Sequence, residues 1–104
     1  MKIEWSARSR NDLRELKKYI AQDSPYYARR FIARIIASVE KLADFPDVGR
    51  EVPEAKNRDD ARELIFQGYR IIYLRQENHV YIVTVIHGSR DLSGMESKPW
   101  DVGN

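Results

Sequence analysis

The chain predicts an α+β domain in the order β-α-α-β-β-β, an antiparallel sheet with a helical hairpin on one face. Three observations lead there. Residues 61–91, ARELIFQGYRIIYLRQENHVYIVTVIHGSRD, form three β-branched, alternating runs separated by turn residues. Two apolar stripes at helical spacing precede them, with only Asp23-Ser24 between. Ahead of both, Lys2 to Trp5 is a short strand-like opening.

Each element has its own signal. Ser6 is placed to cap the first helix, because its hydroxyl can accept from an orphan amide of the first turn. From Ala7 to Gln22, Leu13, Leu16 and Ile20 recur at three and four, while Arg8, Arg10, Arg14, Lys17 and Lys18 fill the polar side. Ser24 followed by Pro25 starts a second helix, since proline is suited to the first helical position. Its stripe of Ala28, Phe31, Ile32, Ile35, Ile36, Val39, Leu42 and Ala43 runs to about Asp44. So short a link makes the pair an antiparallel hairpin. Phe45 to Asp60 reads as a loop punctuated by Pro46, Gly49 and Pro53, of a length that is often functional. Arg62 to Phe66, Tyr69 to Arg75 and His79 to His87 are the strands, turning at Gln67-Gly68 and at Gln76-Glu77-Asn78. One domain over residues 1–92 is expected, followed by a loosely held tail over residues 93–104 that lacks periodicity.

Both faces of the strands are apolar. On the second, Tyr69, Ile71 and Tyr73 oppose Ile72 and Leu74. On the third, Val80, Ile82, Thr84 and Ile86 oppose Tyr81, Val83 and Val85. An antiparallel sheet in a single domain normally leaves one face to water. Two helices cover one face, so the expectation is a second face left for a partner and edged by Arg62, Arg70, His87 and Arg90.

Composition narrows the function. The chain has 104 residues, 42% apolar and 33% charged, with a net charge of +2 and no cysteine. That removes disulfides, cysteine-based zinc sites and thiol nucleophiles. No apolar run approaches a membrane span, MKIEW lacks a signal-peptide core, and a cytoplasmic location is the default expectation. Residues 1–41 carry ten Lys/Arg against five Asp/Glu, and residues 42–68 four against seven, so the helical half is the basic half. His79 and His87 are the only histidines and neither sits in a metal-ligand pattern, so neither metal nor cofactor is expected.

The candidate chemistry is a cationic cluster. Arg62 and Arg70 fall on neighbouring strands, His87 and Arg90 follow at the end of the third, and antiparallel pairing allows Arg70 and His87 to meet. Arginine clamps phosphate bidentately and histidine moves protons near neutral pH. Metal-free RNA cleavage needs a base, for which Glu63 or His87 is a candidate, and positive charge at phosphorus, for which Arg70 or Arg90 is one. The plain alternative is a set of surface salt-bridge partners. Arg50 either anchors the long loop to an acidic neighbour or lines the site.

These residues resemble the RelE/ParE superfamily of toxin–antitoxin toxins. The resemblance spans Trp5 with Ala7 and Asp12-Leu13; Ser24-Pro25 with Ala28 and Phe31; and Leu42, Pro46 and Gly49-Arg50. It continues through Arg62-Glu63-Leu64 and Gly68-Tyr69-Arg70-Ile71-Ile72-Tyr73 to Val85-Ile86-His87-Gly88-Ser89-Arg90-Asp91. It implies the same fold and a growth inhibitor neutralised by a cognate antitoxin protein. RelE-like members are implied to cut mRNA on the ribosome, using strand arginines and a tyrosine near the C-terminus. Here Ile65 or Phe66 stands at such a strand position and no tyrosine follows Arg90. The ending His87-Gly88-Ser89-Arg90-Asp91 is closer to ParE-like members, which bind and poison DNA gyrase and are not enzymes. The alternatives are the ribosome-dependent endonuclease and a non-toxic remnant that only binds an antitoxin.

Overall fold

Ser6 and Ser24 cap the two helices as their sequence positions predict. In the computed structural model, which describes residues 1–101, each serine hydroxyl accepts from the amide three residues on, Ser9 at 3.0 Å and Tyr27 at 3.1 Å. α1 spans Ala7–Ala21 and α2 spans Pro25–Glu40. The expected second helix to Asp44 ends instead in a 3₁₀ turn over Lys41–Ala43.

The strands are β1 (Lys2–Trp5), β2 (Arg50–Glu51), β3 (Ala61–Phe66), β4 (Tyr69–Arg75) and β5 (His79–His87), in sheet order β1-β5-β4-β3-β2. β1 runs parallel to β5 and every other pair is antiparallel. β2 is an addition to the predicted order. Gln67 (φ 45°) and Gly68 (φ 87°) make the β3–β4 turn in the left-handed conformations that a tight hairpin requires.

One core lies between hairpin and sheet, joining Phe31, Ile35, Val39 and Leu42 to Ile71, Tyr73, Val80, Ile82 and Val85. The alternation predicted for β5 fails at one point. Ile72 opposes Thr84 and Tyr73 opposes Ile82, so Val83 is an extra residue, a β-bulge. Val85 therefore joins Ile82 on the helical side, while Ile86 joins Val83 on the other. α1 supports the bulge directly: the Asp12 carboxylate accepts from the Val85 amide at 3.0 Å and the Thr84 hydroxyl at 2.5 Å. The Ser6 amide donates to Ile82 O at 2.9 Å and its hydroxyl to Val83 O at 3.1 Å, fixing the start of α1 to the same place.

The expectation of an uncovered second face is overturned. Ile72, Leu74, Val83 and Ile86 are roofed by Val52 and Ala55 of the long loop, by Leu92 just before the tail and by Trp100 within it. Trp100 is only 2% exposed, and its carbonyl accepts from Arg58 Nη1 at 3.0 Å. Within the stretch expected to be loosely held, Met95 and Trp100 pack against this face, while residues 102–104 lie outside the described residues. The chain supplies both covers because side chains from irregular segments bury apolar surface as effectively as a helix does. Among the described residues no helix is long and apolar enough to cross a membrane.

Two substitutions test this packing. Asp12→Ala strips the bulge of its acceptor and is expected to cost about 2 kcal/mol, read as a lower urea midpoint. Ile71→Asp places an unpaired charge in the helical-side core, with an expected cost of several kcal/mol and loss of the native circular dichroism spectrum at room temperature.

Candidate functional site

Arg70 and Glu63 come together, but they bind each other. Arg70, 5% exposed, donates from Nε to Glu63 Oε1 at 2.7 Å. Its other nitrogens form a two-pronged pair with Glu54, Nη1 to Oε2 at 2.8 Å and Nη2 to Oε1 at 2.7 Å. Nη1 also donates to Arg90 O at 2.9 Å. Glu63, 1% exposed, accepts at its second oxygen from Arg50 Nε at 2.7 Å. Glu54 Oε2 takes the Leu92 amide at 3.1 Å. Two arginines thus face two carboxylates, and the cluster is close to neutral. The hydrogen bonds from Arg70 hold the Glu54 carboxyl down at about 2, and Glu54 in turn pushes the Arg70 pKa up. Arg50 therefore pairs the long loop with an acidic neighbour and also lines the cleft above this cluster, as each of its two readings had it.

His87 lies elsewhere. It opposes Tyr69 in the sheet whereas Arg70 opposes Ile86, so the two side chains leave opposite faces. The His87 ring sits edge-on to Tyr69 with centroids 5.5 Å apart, and its Nδ1 is 2.7 Å from Ser89 Oγ. The meeting of Arg70 and His87 allowed by antiparallel pairing does not occur, because pairing sets neighbours along the ladder while side-chain alternation sets the face. Arg62, opposite Tyr73, is likewise on the helical side, donating from Nη1 to Gly49 O at 2.8 Å. Its place there is fixed by a crowded corner. The Tyr73 hydroxyl donates to Pro46 O at 2.8 Å and accepts from Gly49 N at 2.9 Å. A Cβ on Gly49 would come within 2.5 Å of that hydroxyl, so only glycine fits. Arg90 is exposed.

Above the Arg70 cluster an open cleft of about 760 Å³ is lined by Arg50, Glu54, Lys56, Arg70, Arg90 and Asp91, among others. Its floor is the neutral network and its rim mixes both signs. Among the described residues no three His, Cys, Asp or Glu side chains gather as metal ligands. A second surface is apolar. Leu64, Phe66 and Ile32 are half-buried at the margin of the helical-side core, and Ile36 is exposed. β2 pairs only with Arg62 and Glu63, so the outer edge of β3 from Leu64 to Phe66 has no strand beside it among the described residues.

The family model described as ParE toxin of type II toxin-antitoxin system, parDE, matches residues 3–92. The chain belongs to the ParE toxin family. This ParE-family chain is 36% identical over 87 residues to the putative toxin Y4kP of Sinorhizobium fredii, a match covering 83% of this chain and 86% of that one. It is 32% identical over 89 residues to toxin RelE2 of Caulobacter vibrioides, covering 85% and 96%. Its fold is similar to that of a chain from the chromosomal ParDE system of P. aeruginosa, with TM-score 0.70, 17% identity and coverage of 84% and 95%. It is also similar to one from the toxin–antitoxin complex RelBE2 of Mycobacterium tuberculosis, with TM-score 0.60, 21% identity and coverage of 83% and 95%. At such identities the two structures speak for the fold alone.

In this ParE-family chain the sequence reading passed over Glu54 and the inward role of Asp12. Glu54 sits in a loop with no periodicity, and the only signal was an acid within a few residues of Arg50. Its depressed pKa has a consequence for stability. Glu54 titrates near 2 when folded, against 4.5 for the free group, so its contribution is present above pH 4.5 and drains away as pH falls towards 2. Glu54→Gln is expected to remove that part of the acid dependence, measured as a smaller loss of melting temperature between pH 5 and pH 3 than in the parent chain.

Proposed function

We propose that this chain is the growth-inhibiting member of a type II toxin–antitoxin pair, that it acts inside the cell by binding DNA gyrase, and that a cognate antitoxin neutralises it. The supporting observation is the closed circuit around Arg70. Four of the five N–H donors of Arg70 are taken, and two carboxylates oppose its charge, so it has no two-pronged face left to clamp the pentacoordinate phosphorus of RNA cleavage. With His87 on the opposite face, the acid–base group and the charge lack a common substrate position. A surface-binding inhibitor needs neither, and the ParE family match favours that branch. His87, Arg62, Glu63, Arg70 and Arg90 then act as structural or contact residues. For the antitoxin, the apolar margin of Ile32, Ile36, Leu64 and Phe66 beside the open β3 edge suits an extended segment that adds a strand and seats apolar side chains.

The ribosome-dependent endonuclease remains the competing reading because the exposed His87 ring, hydrogen-bonded to Ser89, is available as an acid–base group. Induced expression in bacteria with parallel readouts separates the two. Gyrase binding gives SOS induction, double-strand breaks trapped on gyrase and intact transcripts. Transcripts cut in the ribosomal A site, with cutting lost in His87→Ala, would overturn the proposal in favour of the nuclease. Normal growth without either signal would leave an antitoxin-binding remnant.

A further inference from the structure

We propose that the solvent face of the α1–α2 hairpin docks on the phosphate backbone of double-stranded DNA. α1 carries Arg8, Arg10, Arg14, Lys17 and Lys18, and α2 carries Arg29, Arg30 and Arg34, all exposed. Against these eight cations the two helices hold three acids. Asp12 is turned inward to the bulge, Glu15 reaches Lys18 at 3.7 Å, and Glu40 is the last residue of α2.

Pairing sets the hairpin arginines apart from five of the six arginines elsewhere. Arg50, Arg58, Arg62, Arg70 and Arg75 each meet a carboxylate within 4 Å. Among the described residues none of the six hairpin arginines does; Arg30 instead donates to the Tyr26 hydroxyl at 2.9 Å and lies over its ring. Those five arginines thus hold the fold together, whereas the hairpin arginines, like exposed Arg90, meet no carboxylate among the described residues. They also oppose helix stability, since Arg10–Arg14, Arg14–Lys18 and Arg30–Arg34 are like charges one turn apart. A polyanion laid along the face relieves that repulsion.

The shape favours a duplex backbone over a folded protein. Arg10, Arg14 and Lys17 follow one line along α1, a helix about 22 Å long. Arg30 and Arg34 follow a second on the neighbouring α2. The exposed residues Ala33 and Ala37 beside that second line are small, so the surface lacks the buried apolar anchor that protein interfaces centre on. Exposed Tyr19 and Tyr26 lie at the turn end of the hairpin rather than between the rows, unlike a stacking platform for single strands. The choice of DNA over duplex RNA rests on the gyrase reading, because DNA is what gyrase holds.

The test uses the full chain without gyrase, so that its failure and that of the gyrase reading are distinguishable. Anisotropy of a labelled DNA duplex of about 25 base pairs is followed from 50 to 200 mM salt. Five or six phosphate contacts give a slope of log K against log salt of about −5. Arg10→Glu/Arg14→Glu/Lys17→Glu is expected to weaken binding at least tenfold at low salt and to flatten the slope by about 3. The charge-neutral Arg10→Gln/Arg14→Gln/Lys17→Gln variant falls between, and Lys56→Glu, in the long loop, leaves binding unchanged. Absence of binding at 50 mM salt, insensitivity to the hairpin variants, or equal competition by polyglutamate or duplex RNA would each overturn the proposal, the last two pointing to an acidic protein or to RNA.

Discussion

One guanidinium, that of Arg70, ties the long loop and the segment after β5 to the sheet. It joins β4 to β3 through Glu63, to the long loop through Glu54, and to the segment after β5 through Arg90 O. Glu54 extends the circuit to the Leu92 amide, and Glu63 extends it to Arg50 and β2. A buried ion pair gains little over an apolar contact of the same volume, but removing one partner is costly, about 3–5 kcal/mol. Its value here is positional. Val52, Ala55, Leu92 and Trp100 cover the second face of the sheet, and the Arg70 circuit fixes the loop at Glu54 and the chain at Arg90, just before the tail.

That arrangement distributes the surfaces. The sheet face that would otherwise have awaited a partner is closed by the chain's own irregular segments, and the cleft above Arg70 has a neutral floor. What stays open is the apolar margin of α2 and β3, with its unpaired strand edge, and the arginine-rich outside of the hairpin. An inhibitor that works by occupying a large target requires surfaces of this kind. It does not require a preorganised acid, base and oxyanion site.

The regular parts of the fold were legible because their signals are local. Ser6 and Ser24-Pro25 mark the helix starts, and Gln67-Gly68 marks a turn whose residues tolerate positive φ. β4 and β5 begin and end where the alternating runs do. What escaped depends on distant partners. A two-residue strand such as β2 has no period to detect. The bulge at Val83 is invisible in β5 itself, because the acceptor that stabilises it is Asp12 on α1. The roof over the second face was missed because Val52, Leu92 and Trp100 stand singly in polar surroundings, although large apolar residues in a tail called loose were a signal in themselves. In the site, ladder pairing was legible but the faces were not: Arg70 and His87 are neighbours on the ladder and leave opposite sides of the sheet.

Amide hydrogen exchange in Arg70→Lys tests the role of this residue most directly, since lysine keeps the charge but cannot bridge two carboxylates with a planar fork. If Arg70 is the structural clamp, protection falls together in residues 50–60, at Leu92 and along residues 93–101, while the amides of α1 and α2 exchange as in the parent chain. Unchanged protection in loop and tail, accompanied by loss of growth inhibition, would contradict the account and return Arg70 to the role of a group that touches the target.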